Sequence, residues 1–188
     1  VKRRGWLMVG IAAMGLAGAS AVLWRQARVE GHFAPQFEAA AHRYTVDPLL
    51  VRAVIWRESR FNPNARGSRG EIGLMQIQDN AAREWADAER IVAFDHAHCY
   101  DPVTNTLAGT FYLSRLLKRY AATDNPVPYA LADYNAGRGN VLRWKAGVAV
   151  TNSAAFVRAI GFPGTKRYVQ SVMWRYALYQ FLSRLGLS

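Results

Sequence analysis

At 188 residues and 51% apolar composition, the chain is sized for one domain with a real core. A single cysteine, Cys99, excludes an internal disulfide. The formal net charge of +11 is uneven: no acid precedes Glu30, none follows Asp133, and eight Lys or Arg residues lie from Tyr134 onward. Such a field favours polyanions (nucleic acid, anionic lipid or an acidic wall polymer), with an ordinary solvated surface as the default reading.

Lys2, Arg3 and Arg4 precede an uncharged run over residues 6–24. As a helix these 19 residues span roughly 28 Å, close to the thickness of a bilayer core. Trp6 and Trp24 at its ends suit the interfacial belt, and Arg25 and Arg28 close the far side. The run reads as an uncleaved anchor behind a basic cytoplasmic leader at 1–5. Ala17, Ala19 and Ala21 leave a cleaved signal open, and Arg3-Arg4 a twin-arginine signal. All three export the rest of the chain. Residues 25–45 read as a helical juxtamembrane segment, and residues 46–188 as a single, mainly α-helical domain with little strand.

Asp47-Pro48 pairs an N-cap residue with a proline suited to the first helical position, so a helix is expected over 47–60. Within it Leu50, Val54 and Glu58 fall four apart, with Val51 and Ile55 beside them, so Glu58 projects from the buried side. A lone carboxylate there is costly to ionise, and its pKa should rise toward what a general acid needs. Pattern alone leaves a structural ion pair with Arg57, Arg60 or another basic group as the competing reading.

Residues 61–72, with Pro63, Gly67 and Gly70, read as a loop, and helical periodicity resumes over 74–88. The run RGSRGEIG at 66–73 looks like a phosphate loop but lacks the closing Gly-Lys-Ser/Thr, which excludes nucleotide binding. Asp95, His96, His98 and Cys99 lie close in sequence, but no second ligand group stands at recognised zinc spacing, so no metal is expected. Asp101-Pro102 caps a helix over 104–120, residues 125–128 break the chain, and a helix opens at 129–134. Gly137 and Gly139 interrupt it before 141–145, and a last helix is expected over 166–185. No second carboxylate presents itself as a partner for Glu58.

Four blocks now carry a resemblance: VDPLLVRAVIWRESRFNPNA at 46–65, GLMQI at 73–77, DPVTNTLAGTFYLSRLL at 101–117 and ALADYNAGRGNVLRW at 130–144, with a weaker fifth, FPGTKRYVQSV, at 162–172. In this order they resemble the SLT-type lytic transglycosylases, which have a goose-type-lysozyme-like fold, over about residues 44–179. The resemblance implies that Glu58 is the catalytic residue. It would protonate the glycosidic oxygen between N-acetylmuramic acid and N-acetylglucosamine, then deprotonate the muramyl C6 hydroxyl as that closes a 1,6-anhydro ring. The substrate supplies the nucleophile, so one protein carboxylate suffices, and no cofactor is implied.

By the same resemblance, Ser59, Ser68, Gln76, Tyr134, Asn135 and Tyr168 would serve substrate binding, Asn135 by ordering the loop around Tyr134. Met75 would wall the cleft, with plain core packing the alternative for Met75 and Tyr168. Asn105, Gly109 and Tyr112 match the structural helix. Gly67 stands where the family usually has serine, with Ser68 adjoining, and Gly164 where it usually has glutamate. The expected partner is peptidoglycan outside the cytoplasmic membrane, not nucleic acid, which explains none of the blocks. A hydrolytic muramidase and an inactive wall-binding scaffold are the competing readings.

Overall fold

The computed structural model of the protein describes residues 24–187. The described residues fall into two units, 24–35 and 36–187. In the first, residues 24–32 are helical, and Gln26 Nε2 donates to Glu30 Oε1 at 2.9 Å. The leader expected at 1–5 and the anchor expected over 6–24 lie, but for Trp24, outside the described residues. Among the described residues no helix is long and apolar enough to cross a membrane.

The helices in chain order are α1 (Ala34–Tyr44), α2 (Pro48–Ser59), α3 (Asp79–Ala88), α4 (Pro102–Arg119), α5 (Pro126–Ala136), α6 (Arg138–Trp144), α7 (Ser153–Ala159) and α8 (Pro163–Arg184). Short 3-10 turns occupy His96–Tyr100 and Gly147–Val150. Extended pairing is limited, among the described residues, to isolated bridges of Ile72 with Arg66 and Ile77.

Asp47 caps α2 by accepting from the Leu49 amide at 2.8 Å, and Pro48 takes the first turn, where no helical partner awaits an amide proton. The helix ends where Arg60 turns left-handed, at φ 54°. Between these points it buries Leu50, Val51, Ala53, Val54, Ile55 and Trp56. This apolar body packs on α8, while α4 packs on α3 and α5, and α5 in turn on α8. Asp133 near the end of α5 is 2% exposed and accepts from Arg119 Nη1 and the Tyr120 hydroxyl, each at 2.7 Å. A buried charge needs such partners. These two bonds fix α5 to the end of α4 one residue before Tyr134.

Three expectations are corrected. Helix was expected from residue 74, but α3 starts only at Asp79, because Gly73 and Gln76 take positive φ (79° and 48°) and fold residues 73–77 into a tight turn. Residues 125–128 open α5 instead of breaking the chain. Asn125 accepts from the Val127 amide at 3.0 Å, and Pro126 and Pro128 lie in the first turn, where a missing N–H costs nothing. Helix α7 was not expected at all; Asn152 caps it through the Ala155 amide at 2.8 Å.

The candidate active site

The turn at 73–77 is held against α4 by one buried amide. Asn105 Oδ1 accepts from the Met75 amide at 2.8 Å, while its Nδ2 donates to the carbonyls of Ile72 at 3.0 Å and Cys99 at 2.7 Å. Gly73 lies directly against this amide: a Cβ there would meet Asn105 Nδ2 at 2.0 Å, and its φ of 79° already favours glycine. The Ser59 hydroxyl donates to the Leu74 carbonyl at 2.7 Å, tying the end of α2 to the same turn. The Tyr134 hydroxyl donates to the Met75 carbonyl at 2.8 Å from the side of α5. Three helices thus converge on five residues of irregular backbone.

Their convergence leaves a cleft of about 250 Å³ with Glu58, Ser68, Arg69, Glu71, Gln76, Gln78, Asn80, Tyr112, Tyr134 and Asn135 among its lining residues. A second cavity, sharing Arg69 and Asn135, is lined by Arg57, Gly164, Thr165 and Tyr168. At their junction the Tyr168 hydroxyl donates to Glu58 Oε1 at 2.6 Å. Asn135 accepts from the Thr165 hydroxyl at 2.8 Å, which joins α5 to α8 beside this contact. Gln76 directs its amide protons to the carbonyls of Ala65 and Gly73, both at 3.0 Å, so its side chain is locked along the cleft wall.

Burial raises the Glu58 pKa to about 7; the Tyr168 hydrogen bond and the Arg57 charge pull against that rise, and Glu71 adds to it. The alternative of a structural ion pair does not describe this carboxyl, whose hydrogen-bond partner is a neutral phenol. Burial first, and then the Glu58 charge, push Tyr134 and Tyr168 well above the ordinary tyrosine range, so both remain hydroxyl donors. The arrangement can therefore hold a proton on Glu58 near neutral pH and release it into a cleft lined with amides and hydroxyls.

Glu58, Ser68, Gln76, Tyr134, Asn135 and Tyr168 are brought together here. Two predicted residues are placed differently. Met75 does not wall the cleft: it is 0% exposed, with its sulfur accepting from the Thr110 hydroxyl at 3.7 Å, so the core-packing alternative describes it. Ser59 spends its hydroxyl on Leu74 and does not line the cleft. Sequence reasoning missed Glu71, which shares the cleft with Glu58. A glutamate in a glycine-rich loop reads as a solvated charge, and no spacing signal marks it. The acidic and histidine run at 95–99 caps its own 3-10 turn: Asp95 accepts from the Ala97 amide at 2.7 Å, and Cys99 is buried.

The family model described as the transglycosylase SLT domain matches residues 35–157, and the chain belongs to that family. Among individual relatives, a putative soluble lytic murein transglycosylase of Haemophilus influenzae is 30% identical over 156 residues, covering 82% of this chain and 26% of that protein. The membrane-bound lytic murein transglycosylase C of Pectobacterium atrosepticum is 36% identical over 123 residues, covering 59% of this chain and 33% of its own. Of solved structures, an inactive mutant of the lytic transglycosylase Slt from Pseudomonas aeruginosa superposes with a TM-score of 0.71 at 25% identity, over 81% of this chain and 24% of that one. The 70 kDa soluble lytic transglycosylase of Escherichia coli gives 0.68 at 29% identity, over 78% and 24%. The chain thus spans only a quarter to a third of the length of these relatives.

Proposed function

We propose that the chain is a peptidoglycan lytic transglycosylase in which Glu58 acts first as acid and then as base. The carrying observation is a carboxyl raised to about 7 and held at 2.6 Å by a neutral tyrosine hydroxyl at the junction of two cavities. The proton of Glu58 passes to the glycosidic oxygen as the bond from the muramyl C1 breaks. The muramyl C6 hydroxyl then attacks C1, its proton returns to Glu58, and a 1,6-anhydro ring closes with the acid restored. One group serves both transfers only if its pKa lies near the working pH. Relatives named as lytic murein transglycosylases, and a solved complex of one of them with bulgecin A, support the substrate class.

One observation favours a second reading: Glu71 gives the cleft the second carboxylate that a hydrolytic muramidase uses. The uncharged run at 6–24 supports attachment to the cytoplasmic membrane, with the catalytic domain in the envelope. The test is Glu58→Gln in the full chain, followed on purified sacculi by mass spectrometry. The amide keeps the shape and loses the proton, so turnover should fall more than about 100-fold while wall binding persists. Near-normal turnover would refute the assignment of Glu58. Parent products heavier by one water than the anhydro form would identify hydrolysis instead.

A further inference from the structure

Glu71 occupies a place made for it. A Cβ built on Gly67 would stand 2.3 Å from Glu71 Oε2 and 2.9 Å from its Cδ, so the carboxylate fills the space that any larger residue at 67 would need. Its two oxygens are held. Oε2 accepts from the Arg69 amide at 2.9 Å, and Oε1 accepts from Arg69 Nε at 3.1 Å and from Gln78 Nε2 at 3.3 Å. The carboxylate lines the same cleft as Glu58, Gln76 and Tyr134.

We propose that Glu71 is a second working carboxylate of the cleft, seated in the space that Gly67 leaves, whose negative charge acts on Glu58 and on the cation forming at the sugar ring. The inference rests on the reading of Glu58 as the acid. Burial would raise the Glu71 carboxyl, but its own backbone amide, the Arg69 amide, the Gln78 side chain and the Arg69 charge together hold it below its ordinary value. It is therefore ionised across the neutral range and weakly basic. Such a group takes no proton from water and works by its field, which is strong in a partly desolvated cleft.

The groups facing Glu58 are Arg57 on its own helix, Glu71 on the loop, Tyr134 on α5 and Tyr168 on α8. On its far side, Glu71 shares a neighbouring cavity with Arg66, Asp95 and His96. Of the groups acting on Glu58, Glu71 alone is an anion, and its charge favours the protonated acid. The same charge stabilises the positive charge that develops at C1 before the C6 hydroxyl closes on it. No further bond is made or broken.

The experiment follows the Glu58 side-chain carboxyl by carbon-13 NMR against pH in the full chain, beside the pH–rate profile on sacculi. In Glu71→Gln, Glu58 should titrate at lower pH, and the basic limb of kcat should move down with it. The maximal rate should fall about tenfold or more, on the scale of a lost electrostatic contact. Glu71→Asp keeps the charge and should keep the Glu58 titration near that of the parent. Gly67→Ser, which pushes the carboxylate aside without removing it, should move the titration the same way as Glu71→Gln, and it decides the matter if the glutamine variant does not fold. An unmoved Glu58 titration, whatever happens to the rate, would overturn the proposal, as would an aspartate variant that matches the glutamine one. Failure of the underlying reading shows separately, as full activity in Glu58→Gln.

Discussion

Glu58 sits where its neutral form is tolerated and its ionised form is costly, which couples folding to pH. In the unfolded chain the carboxyl titrates near 4.5, and in the folded chain near 7. Below 4.5 it is protonated in both states and its contribution to stability is fully present. As pH rises the unfolded chain loses the proton first, and the contribution is gone once the folded pKa is passed. The loss is on the order of 2 kcal/mol, discounted because the cleft is open to water. Glu58→Gln should therefore be more stable than the parent at pH 8 and little different at pH 4, by urea denaturation at each pH. An equal gap at both would show that the carboxyl is not destabilised by its site. Much of this was legible in the sequence. Leu50, Val54 and Glu58 in steps of four, behind a capped helix start, announced a carboxyl on a buried face. Glu71 was not, because its position depends on Gly67 yielding space and on Arg69 and Gln78 turning toward it.

At the scale of elements, the site depends on the turn at 73–77, which α2, α4 and α5 each grip by a hydrogen bond. Asn105→Ala would leave the Met75 amide and the carbonyls of Ile72 and Cys99 without this partner. Orphaned buried groups of this kind cost about 1–3 kcal/mol each, so a net loss of about 3 kcal/mol is expected. Gly73→Ala should cost at least as much, since it combines a disfavoured φ with a Cβ driven onto Asn105. Urea midpoints check both, and a loss below 1 kcal/mol for either would show that the turn is held by something else. The same turn explains the misplaced start of α3. Leu74, Met75 and Ile77 have a helix-like apolar pattern, but they are buried by tertiary contacts, and the positive φ values of Gly73 and Gln76 exclude a helix. Met75, a cleft residue only by the family resemblance, is buried by the same turn. Its neighbour Gln76 does face the cleft, while the reversal of backbone between them turns Met75 into the core.

For the molecule as a whole, the net charge of +11 against 13 acidic residues predicts, on the proposed reading, that encounter with an anionic wall is driven by long-range attraction. Raising salt from low to high ionic strength should weaken association with sacculi and leave the turnover of bound chains little changed. Arg138, Arg143 and Arg167 are exposed, and reversing their charge should act in the same direction as salt. Lys145, by contrast, lies 5.6 Å over the Tyr120 ring, and Lys166 donates to the Arg158 carbonyl, so changes there would also disturb packing. Binding isotherms at two salt concentrations decide it; salt-independent binding would mean that sugar contacts dominate.

The hydrogen bond between Tyr168 and Glu58 joins residues 110 apart in sequence. Ribosomes make α2 early and α8 late, so the acid exists as a residue long before the hydroxyl that completes its surroundings. On the proposed reading, a chain still emerging carries the blade without its setting, and cutting ability arrives only when α8 docks. On that reading the acid's surroundings are completed by the last of the described helices, so the order of synthesis itself delays the competent site.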